Sequence, residues 1–216
     1  MLPIYISHLV KDKKLLTIVG DQEPVQLVKR SQVYLHLCSS IMSQQLSTKV
    51  AEVIYKRFLH LYEGGAPTAE QIVQTPFATL RAIGLSTAKT NYIQHVARFD
   101  IEQGMNHEKL EKMTDEEIIE YLTQIKGVGR WTVEMLLMFT LAREDVFAID
   151  DLGIQNAMIH LYGLDRADKK KFREHLLRIS KRWKPYRTYA CIHLWRWKDN
   201  RPVSERVKTK KFKKEV

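Results

Sequence analysis

The sequence predicts an all-α fold, with two helical lobes set around a cleft. Three observations carry this expectation. Apolar residues recur at three-four spacing through nearly the whole chain. No segment alternates apolar and polar residues over six positions, as a half-buried strand would. Helix-start residues and glycine or proline stops return at short intervals, dividing the chain into roughly ten short helices. With 216 residues, 44% of them apolar, the chain can bury a proper core. The natural place for a site is the cleft between lobes.

Taken in order, Val50, Val53, Ile54, Phe58 and Leu61 keep the helical period through Thr48–Tyr62, and Gly64-Gly65 stops that helix. Thr68 caps a short helix, and Pro76 opens another that ends at Gly84. Ser86 caps a helix carrying Ala88, Tyr92, Val96 and Phe99. Thr114-Asp-Glu-Glu is a capping box before Ile118, Ile119, Leu122 and Ile125. Further helices follow at Gly129–Leu141, Asp151–Tyr162, Asp168–Trp183 and Tyr186–Trp197, the last with Pro185 near its first turn. Val146-Phe-Ala-Ile149 reads as an extended connector.

Composition then narrows the class. There are 35 Lys and Arg against 25 Asp and Glu, a formal charge of +10. Half of the excess lies in Arg201–Val216, which reads as a basic, disordered tail, either plain solvated surface or a polyanion-binding arm. No apolar run reaches the ~18 residues of a membrane helix, and the start lacks a basic-then-apolar leader. Two cysteines, Cys38 and Cys191, are too few for a disulfide framework, a four-cysteine zinc site or an iron–sulfur cluster. The expectation is a soluble protein without a membrane partner, cytoplasmic and nucleoid-associated if bacterial, nuclear if eukaryotic.

The informative stretch is Leu122-Thr-Gln-Ile-Lys-Gly-Val-Gly-Arg-Trp-Thr-Val-Glu-Met135. One amphipathic helix ends at Gly127, one apolar residue follows, and Gly129 begins a second. Two glycines let the backbone turn tightly and bring its amides close to a neighbour. The N–H groups opening the second helix then form an anion site, while Val128 plugs the space between helices. Such a device grips a phosphate whatever the base sequence.

This segment resembles the helix-hairpin-helix of the HhH-GPD superfamily of DNA base-excision glycosylases, whose pattern is L-x-x-[IL]-x-G-[VI]-G-x-x-[TA]-A. Three further motifs resemble the same family, in order. Ser39-Ser-Ile-Met-Ser-Gln-Gln-Leu-Ser-Thr-Lys49 is similar to I-x-S-Q-Q-L-S, and Arg81-Ala-Ile-Gly-Leu-Ser-Thr-Ala-Lys89 to R-x-[IL]-G-L-S-x-x-K. Trp183-Lys-Pro-Tyr-Arg-Thr-Tyr-Ala-Cys-Ile-His-Leu-Trp195 matches W-x-P-[WY]-R-S-Y-A-x-x-H-x-W, the signature of the 3-methyladenine DNA glycosylase II branch. The resemblance runs from about Lys29 to Lys198. It implies a glycosylase domain over residues 1–200 of two interleaved lobes, with the hairpin at about 114–142, no N-terminal β domain, and a tail over 201–216.

The resemblance also assigns residues. The family's catalytic Asp opens the helix after the hairpin, in Ala148-Ile-Asp-Asp-Leu-Gly-Ile-Gln-Asn-Ala157 here, and the apolar Ile154 three places on selects Asp151 over Asp150. Capping a helix is the ordinary work of such an Asp, and it does not compete with catalysis. A carboxylate at a positive helix terminus is favoured ionised, which is what an oxocarbenium-like sugar needs beside it. Trp131 and Trp195 correspond to aromatic positions of the base pocket, with Tyr189 a third candidate; each could instead be core. Lyases of the family carry a Lys two places after the second hairpin glycine, and Trp131 stands there. Gln45 is the first candidate for the wedge that fills the hole left by an extruded base, and Leu46 the second. Gly127, Val128, Gly129, Arg130 and Thr132 are the expected DNA contacts of the hairpin. Backbone carbonyls of Thr123, Ile125 and Val128 match the family's monovalent-cation positions, so Na+ or K+ is a possible structural ion, with no cofactor required. His193 reads as a core hydrogen-bonding residue, and Arg187 as either structural or part of the site.

The expected function is that of a monofunctional, monomeric glycosylase, a hydrolase acting on double-stranded DNA with damaged bases. It flips out alkylated purines such as 3-methyladenine or 7-methylguanine and leaves an abasic site. A base alkylated on a ring nitrogen is cationic and leaves without a general acid, and no carboxylate is assigned to that role by the motifs. Two alternatives stay open: a glycosylase for uracil, hypoxanthine or mismatched bases on the same fold, and a non-catalytic helix-hairpin-helix DNA-binding protein.

Overall fold

Residues 2–63 and 65–200 are described in a computed structural model; the predicted tail over 201–216 lies outside them. Among the described residues every regular element is helical. None of these helices is long and apolar enough to cross a membrane. The chain divides into two compact units, one formed by both ends of the sequence, up to Gln26 and again from Arg143, the other by Leu27–Ala142.

The first unit begins with α1 (Ile4–Leu9) and α2 (Lys13–Val19). Both are too short to show two periods in sequence, so neither was predicted. Asp12 starts α2 by accepting the Lys14 amide at 3.0 Å on Oδ1. Its other oxygen accepts Trp183 Nε1–H at 3.2 Å and the Arg182 guanidinium at 3.0 Å.

The second unit holds α3 (Val33–Ser43), α4 (Thr48–Leu59), α5 (Ala69–Gln74), α6 (Phe77–Ala82), α7 (Thr87–Gln103), α8 (His107–Leu110), α9 (Asp115–Leu122) and α10 (Arg130–Phe139). The predicted caps are present: Thr68 and Thr114 form capping boxes, and Ser86 accepts the Lys89 amide. α3 is the centre, with Leu37, Cys38 and Ile41 fully buried against α4, α7 and α10. Two boundaries differ from expectation. α4 stops at Leu59, before the glycine pair. α9 stops at Leu122, five residues before Gly127; the Thr123 hydroxyl donates back to the Ile119 carbonyl at 2.7 Å there, and the chain continues in turns.

The chain returns to the first unit with α11 (Leu152–Tyr162), α12 (Lys169–Ser180), a 3-10 turn at Lys181–Trp183 and α13 (Arg187–Asn200). Pro185 stands two residues before α13 and not in its first turn. α11 packs on α13, and both meet α2. Trp183 is fully buried there, with Phe147 edge-on at 5.9 Å. Val146–Ile149 makes no strand pairing, and in place of the fully extended connector expected it turns at its end, with Ile149 N on the Phe147 carbonyl at 2.9 Å.

Candidate active site

Asp151 is the N-cap of α11, and it is Asp151 that caps, while Asp150 is exposed and ion-paired to Arg173 at 2.6 Å. Oδ1 of Asp151 accepts two hydrogen bonds, from the Ile154 amide at 2.8 Å and from Trp195 Nε1–H at 2.9 Å. The carboxylate is therefore fixed by its own helix and by α13, at the end of α11 where the helix dipole is positive. A half-buried anion held by two donors cannot swing away from its axis.

Gly153 makes this approach possible. A Cβ there would lie 2.9 Å from Asp151 Oδ1 and 3.1 Å from Cδ1 and Nε1 of Trp195. Sequence alone does not single out Gly153, since a glycine near a helix start has many explanations; its place two residues after the capping Asp is the signal it carries.

Three further residues that the sequence singles out make contacts within this unit. Arg187 forks Asp145, Nε to Oδ1 at 2.7 Å and Nη2 to Oδ2 at 2.9 Å, tying the start of α13 to the connector. Tyr189 is held by contacts on its ring and its hydroxyl. It is buried, its ring stacks on Tyr5 at 4.0 Å, and its hydroxyl donates to Glu144 at 2.6 Å, so face and edge are taken. Burial, with the Glu144 carboxylate beside it, holds that hydroxyl protonated well above the usual phenol range. His193 is fully buried, with Nδ1 on the Gln22 amide oxygen at 2.9 Å. Burial, helped by the Arg196 charge, lowers its pKa to about 4.

In the other unit the hairpin runs through two tight turns, Ile125 N to Leu122 O at 3.2 Å and Val128 N to Ile125 O at 3.0 Å. Val128 is buried between the helices, as its apolar character predicts. Gly127 and Gly129 differ. Gly127 has φ +99° and carries the ring of Tyr92 directly on its Cα, so a side chain would fall inside that ring. Gly129 has ordinary extended backbone, caps α10 without a side chain, and has open space where a Cβ would be. Nothing among the described residues requires glycine there.

Arg130 is ion-paired on the surface of its unit. Its guanidinium makes a bidentate pair with Glu116, 2.7 Å on each arm, and Nε reaches Glu134 at 3.2 Å. Glu116 is 14 residues away and invisible to a local motif. Thr132 is buried as a whole. Trp131 is 43% exposed, a large apolar side chain on the outer face of its helix. Gln45 and Leu46 are both exposed, and Gln45 has φ +60°, a conformation side chains rarely adopt.

A glycine hairpin between two amphipathic helices, in a chain helical throughout its described residues, defines the helix-hairpin-helix class of DNA-repair proteins. The chain belongs to the HhH-GPD superfamily of base excision DNA repair proteins, which its residues 38–182 match. It is 37% identical over 212 residues to DNA-3-methyladenine glycosylase 1 of Schizosaccharomyces pombe, across 96% of this chain and 91% of the relative. The S. pombe 3-methyladenine DNA glycosylase structure in complex with abasic DNA aligns with TM-score 0.77 at 36% identity, over 89% of this chain and 95% of that one. A DNA-3-methyladenine glycosidase from Bacillus halodurans aligns with TM-score 0.80 at 35% identity, over 94% and 92%.

Proposed function

We propose that this protein is a monofunctional DNA glycosylase that hydrolyses the N-glycosidic bond of alkylated purines in duplex DNA. The observation that carries the reading is the Asp151 carboxylate clamped between the Ile154 amide and the Trp195 indole. As the bond to a cationic base lengthens, positive charge builds on the sugar. The fixed anion of Asp151 stabilises it without having to reorganise. The base departs with the bonding pair and becomes neutral, while water adds to the anomeric carbon from the side of Asp151 and loses a proton. Trp131 supplies no amine, so the strand is left intact. An exposed indole such as Trp131 attracts a flat cation by about 0.5–2 kcal/mol more than a neutral base, which favours alkylpurines over uracil, hypoxanthine or mismatched bases. A clamped aspartate also fits a catalyst better than a passive DNA-binding module.

Gln45 and Leu46 enter the duplex where the flipped base leaves. The backbone around Gly127, Val128 and Gly129 takes a phosphate. Arg130, at the start of the second hairpin helix and half exposed beside Glu116, lies next to that backbone. Carbonyls of Thr123, Ile125 and Val128 would hold a monovalent cation; the Ile125 oxygen, which already accepts one amide, keeps a second lone pair that could serve it.

Incubation with methylated DNA, followed by chromatography of released bases, tests the assignment. Asp151→Asn keeps the cap and should retain DNA binding while losing base release by about 10²–10³-fold; Asp150→Asn should stay near wild type. If Asp150→Asn is inactive and Asp151→Asn active, the register is wrong. Faster release of uracil than of 7-methylguanine would overturn the substrate class.

A further inference from the structure

Lys89, on the first turn of α7, reaches out of its own helix to the end of α3. Its Nζ donates to the Met42 carbonyl at 2.9 Å and to the Gln44 carbonyl at 2.6 Å. At a helix C-terminus the last carbonyls have no intrahelical partner and the dipole is negative. An ammonium with three donors suits both facts. Immediately beyond, Gln45 takes its left-handed backbone, Leu46 N donates to the Ser43 carbonyl at 3.1 Å, and Ser47 caps α4. The loop is thus held at both flanks, and at its tip stand two exposed side chains, Gln45 and Leu46. Lys89 is itself half-buried. Desolvation lowers its pKa, a cost that a lysine kept for solubility does not meet.

We propose that Lys89 is a positioning residue for the Gln45–Leu46 tip: by gripping the carbonyls of Met42 and Gln44 it preforms the shape in which that tip enters DNA. This rests on the reading of Gln45 and Leu46 as the wedge. A tip already held in shape does not have to be ordered at the moment of insertion, so the grip favours extrusion of the base and leaves the hydrolytic step untouched.

Two measurements on the full chain test it. In the free protein, Lys89→Met should speed amide exchange of residues 43–47 by about tenfold or more, while exchange in the centre of α3 stays slow. In single-turnover excision of 7-methylguanine, Lys89→Met should lose about tenfold on a fully paired duplex but less than about threefold when the lesion sits in a mismatched bubble, where extrusion is easy. Lys89→Arg should restore most of the loss, and Lys89→Gln replaces the Met variant if that does not fold. The salt dependence of DNA binding should be unchanged. Unchanged amide exchange, or equal losses on both substrates, overturns the proposal. So does a drop of about one in the salt slope, which would make Lys89 a direct phosphate contact. A Gln45→Ala/Leu46→Ala double variant that excises from paired duplex at the wild-type rate removes the wedge reading itself. The exchange measurement on Lys89→Met, made without DNA, tells the two failures apart.

Discussion

Replacing the one hydrogen of Gly153 that faces Asp151 by a methyl group is the sharpest perturbation the site offers. The new carbon would sit 2.9 Å from Asp151 Oδ1, and an ordinary contact begins at 3.4 Å, so the oxygen must retreat by 3.4 − 2.9 = 0.5 Å or α11 must shift. The indole of Trp195, at 3.1 Å, is displaced as well. Both hydrogen bonds to Oδ1, now 2.8 and 2.9 Å, then lengthen toward the limit of useful strength. Each is a bond to a charged acceptor, worth about 1.5–3 kcal/mol, and weakening both by half costs roughly 2 kcal/mol. Alanine returns about 1 kcal/mol through its better helix propensity. The fold should therefore survive with a small net loss, while the carboxylate loses its fixed place. A misplacement of about 1 Å costs catalysis on the order of 10²-fold, so half that distance plus lost anchoring predicts a fall of about 10–100-fold. Single-turnover release of 7-methylguanine reads this directly, with thermal melting and binding to undamaged duplex as controls. A Gly153→Ala protein that melts and binds as wild type, and excises within about twofold of it, would refute the argument that the clamp on Asp151 sets the rate.

Other outcomes follow from the same geometry. Gly127→Ala should destabilise the protein by more than about 2 kcal/mol, since it combines a steric overlap with Tyr92 and a positive φ; Gly129→Ala should melt like wild type yet bind damaged and undamaged duplex more weakly, and comparing melting with binding for the pair checks both. For His193 the folded protein favours the neutral ring, with a pKa of about 4, while the unfolded chain takes a proton near 6.5. Its stabilising effect is thus complete above about pH 6.5 and declines as pH falls toward 4, by about 3 kcal/mol in all. Denaturant unfolding at pH 7 and at pH 4.5 should show a slope that His193→Gln flattens.

Much of this was legible in sequence where the physics is local. The Asp151 cap, the Thr68 and Thr114 boxes and the Val128 plug each depend on partners within a few residues, so spacing reveals them. The hairpin's first helix was read too long because Ile125 continues the apolar period after the helix has already ended at Leu122. The side-chain contacts that spacing does not reveal all involve distant partners. Arg130 is claimed by Glu116, and Tyr189 by Tyr5. Trp195 was recognisable as an aromatic of the site, but that its N–H rather than only its face is used depends on a residue 44 positions earlier. Lys89 answers to carbonyls 45 and 47 positions away, and carbonyls carry no residue-type signal at all.

The unit that holds Asp151 is stitched from the two ends of the described chain, and this sets an order of events during synthesis. Leu27–Ala142 is continuous and can assemble its core as it emerges. The early helices α1 and α2 must wait. Asp12 meets Trp183 only after 171 further residues have been made, on the order of ten seconds or more at translation rates. Until then the buried faces of Leu9, Leu15 and Val19 have no partners from α11 or α13. Trp195 is made later still, so the anchor on Asp151 is among the last contacts to close. A nascent chain of this protein acquires its hairpin well before it can acquire its chemistry.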